Sequence, residues 1–167
     1  MMHSLWLSTH ASTERPHWRV MNKNLIELVN LLPDDKLDWV PRPGEWTAPT
    51  IFAHIVFARY FGPLLTPEAT QHIGQIPTAC KTKDGIKQEL RTSWELVENF
   101  ISDPAKLEAV YEPPNRNDAY CGDEPEDLTG HYFAYHRFAH DLHHRSTIIG
   151  YLAELGVPLD GHRIRPL

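Results

Sequence analysis

Four stretches of the chain repeat apolar residues at helical spacing, and none shows a convincing strand alternation. In the first, from about Pro16 to Leu32, the residues Trp18, Met21, Leu25, Leu28, Val29 and Leu32 form one stripe. Pro16 suits a first helical turn, Thr13 or Glu14 lies near the cap, and Pro33 ends the helix. The next segment, PDDKLDWVPRPGEWTAPT, is too rich in proline and glycine for a helix and reads as a structured connection. Trp39 and Trp46 are expected to anchor it over one end of the molecule. Thr47 is a natural N-cap with Pro49 in the first turn. The second helix then carries His54, Ile55, Ala58 and Phe61 before Gly62-Pro63 breaks it.

From there to about Lys81, Pro67, Gly74 and Pro77 predict a long loop with a solvated His72. The third helix, from about Thr82 to Ile101, buries Ile86, Leu90, Trp94, Val97 and Ile101. Asp103 to Pro125 is again irregular, with a short helical turn around Lys106 to Val110. The last helix begins between Pro125 and Thr129. It ends at Leu155-Gly156, where Gly156 supplies a left-handed terminator and Pro158 follows. No internal repeat or low-complexity segment interrupts the pattern. The expected fold is all-α, a four-helix bundle with long irregular connections.

Composition narrows the class. A chain of 167 residues is expected to form a single domain, residues 1–167, large enough for an ordinary core. Its hydrophobic fraction of 41% and charged fraction of 23% are those of a soluble globular protein. The formal net charge of −6 argues against nucleic acid or an anionic membrane as partner. No apolar run is long enough to span a bilayer, and the N-terminus lacks a signal-peptide pattern, so a cytoplasmic protein is expected. Cys80 and Cys121 form no C-x-x-C pair and read as two reduced thiols.

The candidate chemistry lies in the last helix, in HRFAHDLHHRSTIIG. Residues four apart share a helix face, so His140 and His144 could grip one metal ion. His136 extends the row but sits roughly 12 Å from His144 at helical rise, too far to share that ion. His143 points away from His144. Exposed histidines are common on helices. Here Phe133, Phe138, Leu142, Ile148, Ile149, Leu152 and Leu155 make the helix apolar, so its histidines are candidates for an interior, where an imidazole needs a partner. His54 alone would more often be a hydrogen-bonded core histidine than a ligand.

Two segments taken together carry a resemblance. LLPDDKLDWVPRPGEWTAPTIFAHI has a Pro-Gly-x-Trp turn, a capping hydroxyl and a histidine seven residues later; HRFAHDLHHRSTIIGYLAELGVPL lies near the C-terminus. The pairing resembles the DinB/YfiT-like family of metal-dependent enzymes, over essentially the whole chain. The resemblance implies a bundle with a divalent metal, zinc or nickel, held by one histidine of the second helix and an H-x3-H pair of the fourth. Carried over, the ligands are His54, His140 and His144. His136 matches a histidine frequent in the family's last helix and is read as supporting the site. Relatives commonly continue the motif with Arg-Gly-Gln; this chain has Arg145-Ser146-Thr147, which could change packing near the site. Members often pair as homodimers, and the apolar helix faces could serve that here.

Three neutral imidazoles leave a coordination position open, as in catalytic zinc sites. Characterised relatives include thiol-cofactor-dependent transferases and an isomerase. The resemblance therefore implies a small-molecule substrate and a low-molecular-weight thiol, activated as thiolate. The same open position could activate water for hydrolysis, or the bundle could bind a metal or small ligand without catalysis, in a stress-related role. Asp141 and Glu45 are candidates for proton transfer or for orienting an imidazole, against a plainer reading as solvated carboxylates. Arg145 could pair with a carboxylate of cofactor or substrate, or with one in the bundle. His140-Asp141-x-x-His144 also looks like the zincin H-E-x-x-H, but Asp is a methylene shorter, no metzincin extension follows and there is no room for a second protease lobe.

Overall fold

A computed structural model describes residues 2–111 and 128–159, with side chains from Pro16 onward. Four long helices form the body: α1 (Met2–Leu31), α2 (Ala48–Arg59), α5 (Lys83–Ile101) and α7 (Gly130–Glu154). Shorter helices join them: α3 (Pro67–Ile73), α4 (Ile76–Ala79) and α6 (Pro104–Glu108). The only extended pairing among the described residues is an isolated bridge between Val110 and Thr129. Both α1 and α2 pack against α5 and α7, so they occupy opposite corners of the bundle. This arrangement lays His54 on α2 beside the histidine row of α7.

Capping follows the sequence closely. Thr47, Thr66, Thr82, Asp103 and Thr129 each accept a backbone N–H in the first turn of the helix they open. Gly156 ends α7 at φ 72°, the left-handed region a side chain would resist. Gly62 has φ 65°, and a Cβ there would stand 2.6 Å from the Phe133 ring. The break after α2 is therefore also a close approach to α7.

Three local expectations give way. Pro16 lies inside α1, which reaches back to Met2, so Thr13 and Glu14 are helical rather than capping. A proline removes one backbone donor and weakens a helix at that point without stopping it. Second, the segment from Gly62 to Lys81 is not a long loop: a 3-10 turn, α3 and α4 occupy it. Pro63, Pro67 and Pro77 sit in first turns, where proline's missing N–H costs nothing. Third, His72 is not merely solvated; its Nε2 lies 2.8 Å from Glu89 Oε2 and ties α3 to α5. The short turn near Lys106 is α6, and the residues from Glu112 to Asp127, Cys121 among them, lie outside the described set.

The core has two apolar layers. One gathers Leu25, Leu28, Phe52, Ile55, Ile86, Leu90, Ile148 and Leu152; the other gathers Trp18, Met21, Trp94, Val97, Phe100 and Ala134. Where they meet lies a buried polar layer. Arg59 is 1% exposed and Asp141 0%. Arg59 donates from Nε and Nη2 to Asp141 Oδ2 at 2.9 and 2.7 Å. Its Nη1 donates to Asn22 Oδ1, Leu90 O and Ser93 Oγ at 3.0–3.2 Å. Trp18 Nε1 donates to the same Asp141 oxygen at 3.1 Å. One cluster thus fastens all four long helices at fixed height. Among the described residues, no helix is long and apolar enough to cross a membrane.

Candidate metal centre

The long last helix carries two adjacent polar rows. Residues 136, 140 and 144 are histidines; residues 137, 141 and 145 are Arg, Asp and Arg. Consecutive residues on a helix differ by about 100°, so the rows lie side by side. The second row turns inward: Arg137 and Arg145 are each 3% exposed and Asp141 is fully enclosed. The first row is half-buried and faces α2.

His54, His140 and His144 come together there. Their ligand nitrogens all lie within 4.8 Å of one another, so the three are positioned to hold one metal ion. His140 Nε2 and His54 Nε2 are 3.0 Å apart, one donating to the other. The ring centroids are separated by 4.8 Å (54–140), 4.9 Å (54–144) and 4.5 Å (140–144). Zinc–nitrogen bonds of about 2.0–2.1 Å in a tetrahedron set donor atoms about 3.3 Å apart. The cluster therefore needs only small side-chain rotations to meet that geometry.

The protonation state suits ligation. Burial, with His140, His54 and His143 nearby, pushes His144 down to about 4. Burial and His140 likewise lower His54. Both are neutral imidazoles at pH 7, the form a metal takes. His140 Nδ1 is buried and makes no hydrogen bond, and neither does Asp141 Oδ1, 3.8 Å away. A histidine bound through Nε2 ordinarily donates its other N–H to such an acceptor. Burial opposes the charge on Asp141, yet the Arg59 guanidinium outweighs it with help from hydrogen bonds, so its carboxyl stays below the usual range. A fixed anion thus stands beside the His140 ring.

The surroundings complete the site. His54 and His140 form one end of an apolar hollow of about 400 Å³ whose walls include Phe57, Phe61 and Phe133. On the other side, His144 borders a wider hollow of about 470 Å³ with Glu45, Trp46, Ser146, Thr147 and Tyr151. The Trp46 ring stands 5.0 Å from His54 and is 48% exposed, a cover over the site rather than a packed anchor. Trp39 does pack, edge-on to Tyr151 at 5.8 Å. Tyr151 Oη donates to Trp46 O at 2.9 Å and reaches Glu45 Oε2 at 3.4 Å, holding this connection against α7.

His136 is not one of the clustered imidazoles. It stacks on Tyr132 at 6.1 Å and lines the apolar hollow, and burial, with His140 and Arg137, lowers its pKa. His143 is exposed, its ring 4.9 Å from His144 but outside the convergent group. Arg145 is buried, which lowers its pKa. Asp141 is the main correction to the plainer sequence reading: it is an enclosed ion-pair partner, not a solvated carboxylate. Sequence reasoning missed Arg59 altogether, and it placed Trp18 in the core without its hydrogen bond to Asp141. Arg59 did carry a signal, because it continues the buried register of Phe52, Ile55 and Val56 and so puts a cation on a core face.

Among protein families, the model of the DinB superfamily matches residues 17–148, a span that includes all three clustered histidines. The chain belongs to the DinB superfamily. Among solved structures, it is similar to a protein from Exiguobacterium sibiricum 255-15 described as a DinB family member. The TM-score is 0.65 at 16% identity, over 93% of this chain and 95% of that one. At that identity the likeness concerns the fold. No curated protein matches the sequence.

Proposed function

We propose that this DinB superfamily protein is a divalent-metal-dependent enzyme of the thiol S-transferase type, with His54, His140 and His144 as zinc or nickel ligands. The observation that carries the reading is the convergence of three half-buried imidazoles, two of them held neutral, at the edge of two open hollows. A structural zinc site would be closed by a fourth side chain. Among the described residues no fourth ligand joins the three imidazoles, which leaves a position for a small molecule. A bound dication would supply Lewis acidity there, lowering the pKa of a thiol or of water.

The chain's own residues supply the rest. The Arg59–Asp141 pair locks α2 to α7 and so sets His54 in register with the H-x3-H pair. Asp141 Oδ1 lies 3.8 Å from His140 Nδ1, and a small shift of the ring toward it would let it receive the Nδ1 proton, fix the tautomer and leave Nε2 for the metal. The apolar walls around Phe57 and Phe61 exclude water from one side, which favours a thiolate nucleophile over hydrolysis. A hydrolase is the second reading, favoured by the Glu45 carboxylate in the hollow beside His144.

The test begins with elemental analysis of purified, tag-free protein after mild dialysis. About one zinc or nickel per chain is expected. Metal-loaded protein is then assayed for loss of an electrophile such as 1-chloro-2,4-dinitrobenzene, with and without cysteine or glutathione, against His54→Ala. Thiol-dependent loss supports the transferase, and turnover of an ester without thiol supports the hydrolase. Bound metal with neither activity leaves a binding protein. No uptake of zinc or nickel would end the metal reading.

A further inference from the structure

The two helices that carry the clustered imidazoles continue past them without closing up. His54, Phe57 and Ala58 of α2, with Phe61 just beyond its end, line one wall of the apolar hollow; Phe133, His136, Arg137 and His140 of α7 line the other. Each row stands at i, i+3, i+4 and i+7, the spacing of one helix face. The rows run in opposite directions. At one end His54 meets His140, with Nε2 atoms 3.0 Å apart; at the other a Cβ on Gly62 would stand 2.6 Å from the Phe133 ring. The walls thus close at both ends, yet about 400 Å³ lies between them. In the middle α2 presents only the methyl group of Ala58. Seven residues at helical rise make the hollow roughly 10 Å long. Close-packed interiors hold few voids larger than a water, so a hollow of this size is suited to a small organic molecule.

The wall decides the class of that molecule. Phe57 and Phe61 pack ring to ring at 5.0 Å and are both half-buried, so each keeps surface for a guest. Phe133 is buried and held rigid by the close approach of Gly62. The polar members of the wall are engaged within the chain. Arg137 lies on the rings of Phe133 and Phe100, 5.5 and 6.0 Å from their centroids, and His136 stacks on Tyr132. His54 and His140 pair with each other. An ion entering here would shed its water among groups already committed to other partners, whereas a hydrocarbon body gains from every carbon it buries. We propose that this hollow is a subsite for an uncharged small molecule with an aryl or alkyl body, lying along the Phe57–Phe61 row with its polar end at His54 and His140. As a substrate assignment this rests on the reading that the imidazole cluster is the reactive end; as a binding site it does not.

The experiment is a calorimetric titration with 3-phenylpropan-1-ol, 3-phenylpropanoate and 3-phenylpropylammonium, three probes of one shape and different charge. It is run on metal-free and zinc-loaded protein. The alcohol is expected to bind at least about tenfold tighter than either ion, in both forms. Ala58→Trp, which fills the middle of the hollow, should abolish that binding with zinc stoichiometry and helical circular dichroism unchanged. Phe57→Ala removes a wall ring without filling anything, should weaken the alcohol about two- to tenfold, and serves as the second variant if Ala58→Trp does not fold. Absence of alcohol binding to the wild-type protein would overturn the proposal, as would either ion binding as tightly as the alcohol. So would alcohol binding that survives both substitutions unchanged, or that occurs only with zinc, since the hydroxyl would then be binding the metal. Alcohol binding in a protein that takes up no metal would keep the subsite and remove the metal reading; metal uptake without alcohol binding would do the reverse.

Discussion

Two polar clusters lie within a few residues of each other on α7, and they behave oppositely. Around Asp141 the groups are fully enclosed, and one carboxylate oxygen takes three N–H donors from two residues, Arg59 and Trp18. Around His140 the groups are half-buried, crowd one another, and include two imidazoles kept neutral. In the first cluster Asp141 Oδ2 and the Arg59 guanidinium are satisfied from within. The second is a set of ring nitrogens that converge within 4.8 Å of one another and border two hollows. Burial with an opposite charge builds a fold; like groups crowded at an open edge build a site.

Breaking the first cluster should have the larger effect. Asp141→Ala leaves Arg59 enclosed without its anion and is expected to cost about 3–5 kcal/mol in urea unfolding. Arg59→Met with Asp141→Leu should lose less than the two single changes summed, because no charge is then stranded. Additive losses would mean that the pair is not energetically coupled.

Breaking the second cluster should leave the metal-free fold standing. His54→Ala, His140→Ala and His144→Ala are each expected to drop zinc from about one per chain to near zero, with metal-free melting little changed. His143→Ala should keep the metal, as should His162→Ala, although His162 lies outside the described residues. Full occupancy in His54→Ala would remove it from the ligand set.

Proton linkage sharpens the contrast further. His144 titrates near 4 in the fold against 6.5 when unfolded, and His54 is shifted the same way. Between those values the unfolded chain binds more protons, so stability rises with pH across the window. Metal-free protein should therefore lose melting temperature as pH falls from 6.5 towards 4, and His144→Ala should flatten that slope. An unchanged slope would show that the imidazoles are not desolvated as the geometry requires. The smallest effect concerns the helix that carries His54: Thr47→Ala removes the cap accepting Thr50 N–H and should cost about 1 kcal/mol without changing zinc content.

Local features are legible in the chain of residues alone. The buried stripe of α5, from Ile86 to Ile101, is present as spacing. Thr47, Thr82 and Gly156 mark helix ends because their effects act within one turn of backbone. The pairing of His140 with His144 is equally local. Prolines mislead in both directions: Pro16 suggests a start where the helix continues, and Pro67 and Pro77 suggest a loop where they begin short helices. A proline tells only what its own N–H and φ permit. His72 and Asp141 are harder still, since their partners, Glu89 and Arg59, lie on other helices.

By itself, then, the sequence determined the four long helices, most of their ends, the H-x3-H bite and, through its family pattern, the superfamily. Only the tertiary structure decided that His54 meets that bite across 86 residues, that Asp141 is a sealed ion-pair partner of Arg59, and that Arg137 faces an aromatic hollow. The physical reason is range. Helical spacing and capping act over a few residues, where chain geometry fixes who meets whom. Burial and long-range pairing depend on which faces the bundle brings together, and that depends on all four helices at once.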